Sequence, residues 1–157
     1  MAEYKDIRRD FVSRTQELLK ACSKNDARDV TKLINYAYGL ITYPKGQIHH
    51  SKWPKYQFNG TNTSYGITSQ NIKYSSGIPP KYNLYQIIRH VRNGLSHGYI
   101  EGEYDARNII GIKIEDRDKA NSPVNFTLEA SIEQFRIFAL KVSEDYLAIY
   151  DKLYPQS

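Results

Sequence analysis

Arg92, Asn93, Ser96 and His97 fall within six residues, in the run Arg92-Asn93-Gly94-Leu95-Ser96-His97. A guanidinium offers phosphate oxygens a planar fork of donors and keeps its charge at any cellular pH. An imidazole takes up and gives back a proton near neutrality. With the Asn93 amide and the Ser96 hydroxyl, the run holds the groups needed to grip a phosphate and move a proton. That combination points to phosphodiester chemistry without a metal. The alternative is structural: an exposed Arg92, a polar Asn93 and a His97 capping the end of a helix.

The distribution of charge favours an anionic partner. From Val30 to Ile100 there is no Asp or Glu, while Lys32, Lys45, Lys52, Lys55, Lys73, Lys81, Arg89 and Arg92 supply eight fixed positive charges. The flanks hold all 17 acids, so the net charge of +5 understates the asymmetry. All four histidines lie inside the acid-free stretch. Such a field attracts polyanions; the alternative is a solvated basic surface.

These groups need a scaffold, and the apolar spacing supplies one. Tyr4, Ile7, Phe11, Leu18 and Cys22 recur at helical intervals and suggest a first helix with one buried stripe. Asn25 or Asp26 can cap a second, with Val30, Leu33, Ile34, Ala37 and Ile41 inward. Pro79-Pro80 precedes a third, whose stripe is Leu84, Ile87, Ile88, Val91 and Leu95 and whose end is Gly98. The period then changes to 2. Ile110, Ile112 and Ile114, then Val124, Phe126 and Leu128, read as two strands around a polar turn from Asp116 to Pro123. Ser131 and Gln134 form a capping box before a long last helix carrying Ile132, Phe135, Ala139, Val142, Tyr146, Ile149 and Leu153. The expected fold is mainly α: an antiparallel bundle of about four main helices with a β-hairpin before the last.

At 157 residues the chain is expected to form a single domain over 1–157 with an ordinary hydrophobic core. One cysteine, Cys22, excludes an intramolecular disulfide and suggests a buried thiol in a reducing cytosol. No run approaches the apolar length of a membrane helix, and the charged N-terminus does not resemble a signal peptide. A cytoplasmic location without membrane contact is expected.

The segment 42–80 has no clear period. It holds four of nine glycines, four of six prolines, the only tryptophan, and Tyr43, Tyr56, Phe58, Tyr65 and Tyr74 among lysines. Aromatics interleaved with cations can stack unpaired bases while ammonium groups follow the backbone. Read this way, 42–80 is a substrate-binding loop, and Lys45, Lys52, Lys55, Lys73, Lys81 and Arg89 are the RNA-binding set. The alternative is that the aromatics pin the segment to the bundle. His49-His50 lacks the spacing of a zinc site and has no nearby Cys or acid, so neither metal nor cofactor is expected. His90 is expected at the surface or facing a second copy.

The stretch Ile88-Arg89-His90-Val91-Arg92-Asn93-Gly94-Leu95-Ser96-His97-Gly98 resembles the signature of HEPN domains, small helical bundles with an arginine, often followed by Asn, and then a histidine after four to six residues. Here four intervene. The helix pair before and the hairpin plus long helix after are similar to a stand-alone bacterial subgroup. The resemblance implies a homodimeric, metal-independent endoribonuclease, often the toxic component of a toxin–antitoxin or anti-phage system. Carried over by position, Arg92 holds the scissile phosphate, His97 is the acid or base at the ribose 2′-hydroxyl, and Asn93 orients one of them. The competing implication is a non-catalytic HEPN dimer that binds RNA, nucleotide or a protein antitoxin. Tyr99, two places after the histidine, matches a position that partner enzymes modify with nucleotides in one subgroup.

On an ideal helix, residues 92 and 97 point about 140° apart, whereas 93 and 97 share a face. Either the helix loosens near Gly94, or two copies of the motif meet across a two-fold axis.

Overall fold

The computed structural model describes residues 6–22 and 27–155. Tyr4 and the proposed caps Asn25 and Asp26 lie outside them. The order is α1 (Ile7–Ala21), α2 (Ala27–Ala37), a π turn (Tyr38–Thr42), α3 (Tyr43–Gln47), β1 (Ile72–Tyr74), α4 (Leu84–His97), β2 (Ile100–Asp105), β3 (Asn108–Arg117), β4 (Val124–Ser131) and α5 (Ile132–Leu153). The four strands form one antiparallel sheet in the order β1-β4-β3-β2.

This architecture corrects the expectation of a mainly helical bundle. With 52% helix and 20% strand it is a mixed α/β fold. The hairpin read from the sequence is present as β3–β4, but it is the middle of a four-stranded sheet. β1 is only three residues long, and β2 is exposed along almost its whole length, so neither shows an inside–outside alternation. β3 also runs through Asp116 to Arg117, so the turn begins later than the polar sequence suggests.

The core lies between the helices and one sheet face. Leu84, Ile87, Ile88, Val91 and Leu95 of α4 are fully buried against Ile112, Ile114 and the π turn, and α5 contributes Phe135, Phe138, Ala139, Val142 and Tyr146. Each such aliphatic side chain contributes roughly 1.5–3 kcal/mol. That exceeds the ~1 kcal/mol cost of a mid-helix glycine, so α4 runs unbroken through Gly94. The glycine is required by packing: a Cβ there would lie 2.4 Å from Ile114 Cγ2 and 2.6 Å from the Glu115 carbonyl oxygen.

α1 buries a different stripe from the one expected. Val12, Thr15, Gln16 and Leu19 face inward, while Ile7 and Leu18 are exposed and Phe11 is partly so. Hydrogen bonds make the polar choice tolerable: Gln16 Nε2 donates to Ser143 Oγ at 2.9 Å and Thr15 Oγ1 to the Phe11 carbonyl at 2.7 Å. Cys22 is half-buried at the end of α1, not fully enclosed. The π turn follows from Pro44: it has no N–H for the Leu40 carbonyl, and the Tyr43 N–H bonds back to Tyr38 instead.

Segment 42–80 is not an open loop. It contains α3, two 3₁₀ turns and β1. Trp53, Phe58 and Tyr65 are buried, with Tyr43, Tyr56 and Tyr74 packed against the core. These aromatics pin the segment to the core, and Tyr43, Tyr56 and Tyr74 stay half-buried.

Candidate active site

Helix α4 carries the motif, and both its ends are defined locally. Asn83 Oδ1 accepts from the Gln86 amide at 3.0 Å, and Gly98, at φ 71°, closes the C-terminus in the left-handed region. His97 is the last helical residue. It is exposed, with its ring 5.8 Å from that of Tyr99. Arg92 and Asn93, a turn earlier, are half-buried.

A chain of hydrogen bonds fixes Arg92 from the interior. Arg92 Nη1 donates to Asn93 Oδ1 at 3.1 Å, and Asn93 Nδ2 donates to Asp116 Oδ2 at 3.2 Å. His90 Nδ1 lies 2.7 Å from the same oxygen; a carboxylate can only accept, so the ring donates. The Arg117 amide donates to Asp116 Oδ1 at 2.8 Å. Burial pushes the Asp116 carboxyl pKa up, but the hydrogen bonds from the His90 and Asn93 side chains and the Arg117 amide more than offset it, holding it below the ordinary aspartate range. Asp116 is therefore an anion at neutral pH. Arg92 has no carboxylate partner among the described residues, which leaves its charge uncompensated.

His90 is not at the surface as expected. It is 7% exposed and stacks on Phe126 at 4.4 Å with 9° between the rings. Asp116 was missed as a site residue, yet it carried a signal: it occupies the inward register of β3 after Ile112 and Ile114, where an apolar residue belongs. An ionised side chain there needs buried donors, and α4 supplies two.

Arg92 and His97 are not joined by a hydrogen bond among the described residues. They leave α4 about 140° apart and about 7.5 Å apart along its axis. Because the helix is regular through Gly94, loosening there does not bring them together.

Four of the remaining cations, Lys45, Lys55, Lys81 and Arg89, lie on or beside α4. Lys45 Nζ lies 5.2 Å from the Tyr85 ring, and Lys55 shares a cavity with Tyr85 and His50, near the helix N-terminus. Lys81 and Arg89 line a second cavity beside the middle of the helix. Lys52 is exposed on a 3₁₀ turn, and Lys73 is tied to Glu129 at 3.1 Å on the sheet. The His49 and His50 rings are 4.1 Å apart, and no group of three His, Cys, Asp or Glu stands together among the described residues. Tyr99 is clamped, with its carbonyl accepting from the Glu115 amide and Arg117 5.1 Å over its ring. No described helix is long and apolar enough to cross a membrane.

Comparison with known proteins gives one result. A family model described as HEPN pEK499 p136 matches residues 1–153. No curated relative and no solved structure matches the chain. The match spans nearly the whole sequence, including the Arg92–His97 run and the elements that present it, so the chain belongs to the HEPN family.

Proposed function

We propose that this HEPN protein is a metal-independent endoribonuclease that works as a homodimer and limits growth as the toxic partner in a defence or toxin–antitoxin pair. The observation supporting the reading best is the anchored guanidinium: Arg92 is held through Asn93 to buried Asp116, has no acid partner among the described residues, and sits on the same helix as the exposed His97. One copy points the two groups apart. A two-fold pairing of α4 helices brings Arg92 of one chain toward His97 of the other.

In that arrangement His97 takes the proton from a ribose 2′-hydroxyl. The 2′-oxygen forms a bond to phosphorus, the bond from phosphorus to the 5′-oxygen breaks, and that oxygen receives a proton. The products are a 2′,3′-cyclic phosphate and a 5′-hydroxyl. Arg92 stabilises the negative charge that builds on the phosphoryl oxygens. Lys45, Lys52, Lys55, Lys81 and Arg89 follow the strand on either side.

End-group analysis of RNA incubated with purified protein and chelator tests this directly. Cyclic phosphate ends from wild type but not from His97→Ala support the reading. Intact RNA bound equally by both proteins would replace it with the non-catalytic dimer.

A further inference from the structure

A cavity of about 360 Å³ opens beside the middle of α4, walled by Tyr74, Pro79, Lys81, Arg89, His90 and Asn125. Its size falls in the lower range of small-ligand sites. One polar edge in its wall lacks a partner among the described residues. His90 Nδ1 is committed to Asp116, whereas its Nε2 makes no hydrogen bond among the described residues. Asn125 donates its Nδ2 to Asp118 at 2.9 Å, but its buried Oδ1 is unpaired. That oxygen is closed off from solvent, so the polar edge a ligand in the cavity can reach is His90 Nε2, on a ring that keeps 7% exposure.

The His90 ring cannot turn away. Phe126 stacks on one face, Tyr74 meets it edge-on at 5.7 Å, and Asp116 holds Nδ1. Its free edge is a fixed feature of the cavity, not a rotamer chosen by solvent. Lys81 and Arg89 are exposed at the rim. The one acid there, Asp118, is already bonded to Asn125. Pro79 and Ile78 add an apolar wall. Cations at the mouth, an apolar side and one free imidazole edge within suit a planar heterocycle attached to a phosphate.

The geometry points to a nucleotide subsite: the phosphate at Lys81 and Arg89, the base inside against Pro79 with its polar edge on His90 Nε2. The choice of a nucleotide rests on the RNA reading above. Arg89 lies one turn of α4 before Arg92, about 4.5 Å along the axis, so a strand whose scissile phosphate is at Arg92 places a neighbouring nucleotide here. A free mononucleotide has the same chemistry, and the test separates the two sources.

The experiment is a titration of the protein with uridine and adenosine 5′-monophosphates, and separately with a 2′-O-methyl hexanucleotide that cannot be cleaved, observing histidine ring signals by NMR. A saturable shift of the His90 Nε2 signal is expected. Its apparent affinity should fall about tenfold or more in the Lys81→Ala/Arg89→Ala double variant. Both side chains are exposed, so the thermal midpoint should stay unchanged. A shift with mononucleotides assigns a free-nucleotide site; a shift with the oligonucleotide alone assigns a strand subsite. No saturable shift with either probe, or the same affinity in the double variant, overturns the proposal. Neither probe needs turnover. Binding here by a protein that cuts no RNA removes the nuclease reading only, and cleavage without the His90 shift removes the subsite only.

Discussion

Asn93 on α4 donates its side-chain amide to Asp116 on β3, 23 residues further on, at 3.2 Å. The same amide group accepts from Arg92, so a carboxylate inside the sheet sets where the guanidinium stands. Asp116 is buried and reaches the motif through Asn93, so it acts by positioning. Asp116→Asn removes its charge and one acceptor oxygen. Cleavage should fall about tenfold or more while His97 and Arg92 remain in place, with the loss in kcat greater than in KM. An unchanged kcat would mean that Arg92 is held by the helix alone.

The Asp116 carboxyl also gives stability a defined pH dependence. Its pKa is lower folded than unfolded, so the stabilisation is present above the ordinary aspartate pKa and is lost as pH falls through the depressed folded value. Wild type should therefore exceed Asp116→Asn in thermal midpoint at neutral pH. The gap should narrow below about pH 4. Parallel midpoints across that range would show that the buried charge adds nothing to the fold.

His97 is exposed, so His97→Ala should keep the wild-type thermal midpoint. Its cleavage rate should drop by roughly 10²–10⁴, the worth of one positioned acid–base group. Arg92→Lys should be severely impaired too, because an ammonium cannot reproduce a bond to Asn93 and a two-point grip on phosphate together. Single-turnover rates on a short RNA check both.

Gly94→Ala should destabilise the protein by about 1–3 kcal/mol, since the new methyl group would meet Ile114 Cγ2 at 2.4 Å. Urea unfolding measures this. Since the clash pushes α4 from β3, the Asn93–Asp116 bond should lengthen and activity fall with stability.

Salt dependence should separate lysines that look alike in sequence. RNA affinity should decline with a log–log slope of about −0.7 per phosphate neutralised. Lys55→Ala should reduce that slope, because Lys55 is exposed beside Tyr85. Lys73→Ala should leave it nearly unchanged, because Glu129 already pairs with Lys73. Equal effects would place both ammonium groups on the strand.

Local chemistry alone determined a good deal here. The stripe of α4 and its Gly98 stop, the Ser131–Gln134 capping box, the alternation of β3 and β4, and the spacing from Arg92 to His97 each depend on residues a few positions apart. Short-range periodicity and capping are physical consequences of the backbone, and the chain spells them out. Tertiary structure decided the rest. β1 and β2 exist because β4 and β3 offer them hydrogen-bonding edges, not because of their own patterns. The buried stripe of α1 is the one α5 covers, although its polar members read as surface. His90 looked like a surface residue until Asp116 and Phe126, 26 and 36 residues away, gave it a partner and a stacking face. Which cations are free depends on where the acids of the flanks return to the basic middle. Contacts between distant residues set these outcomes, and no spacing along the chain encodes them.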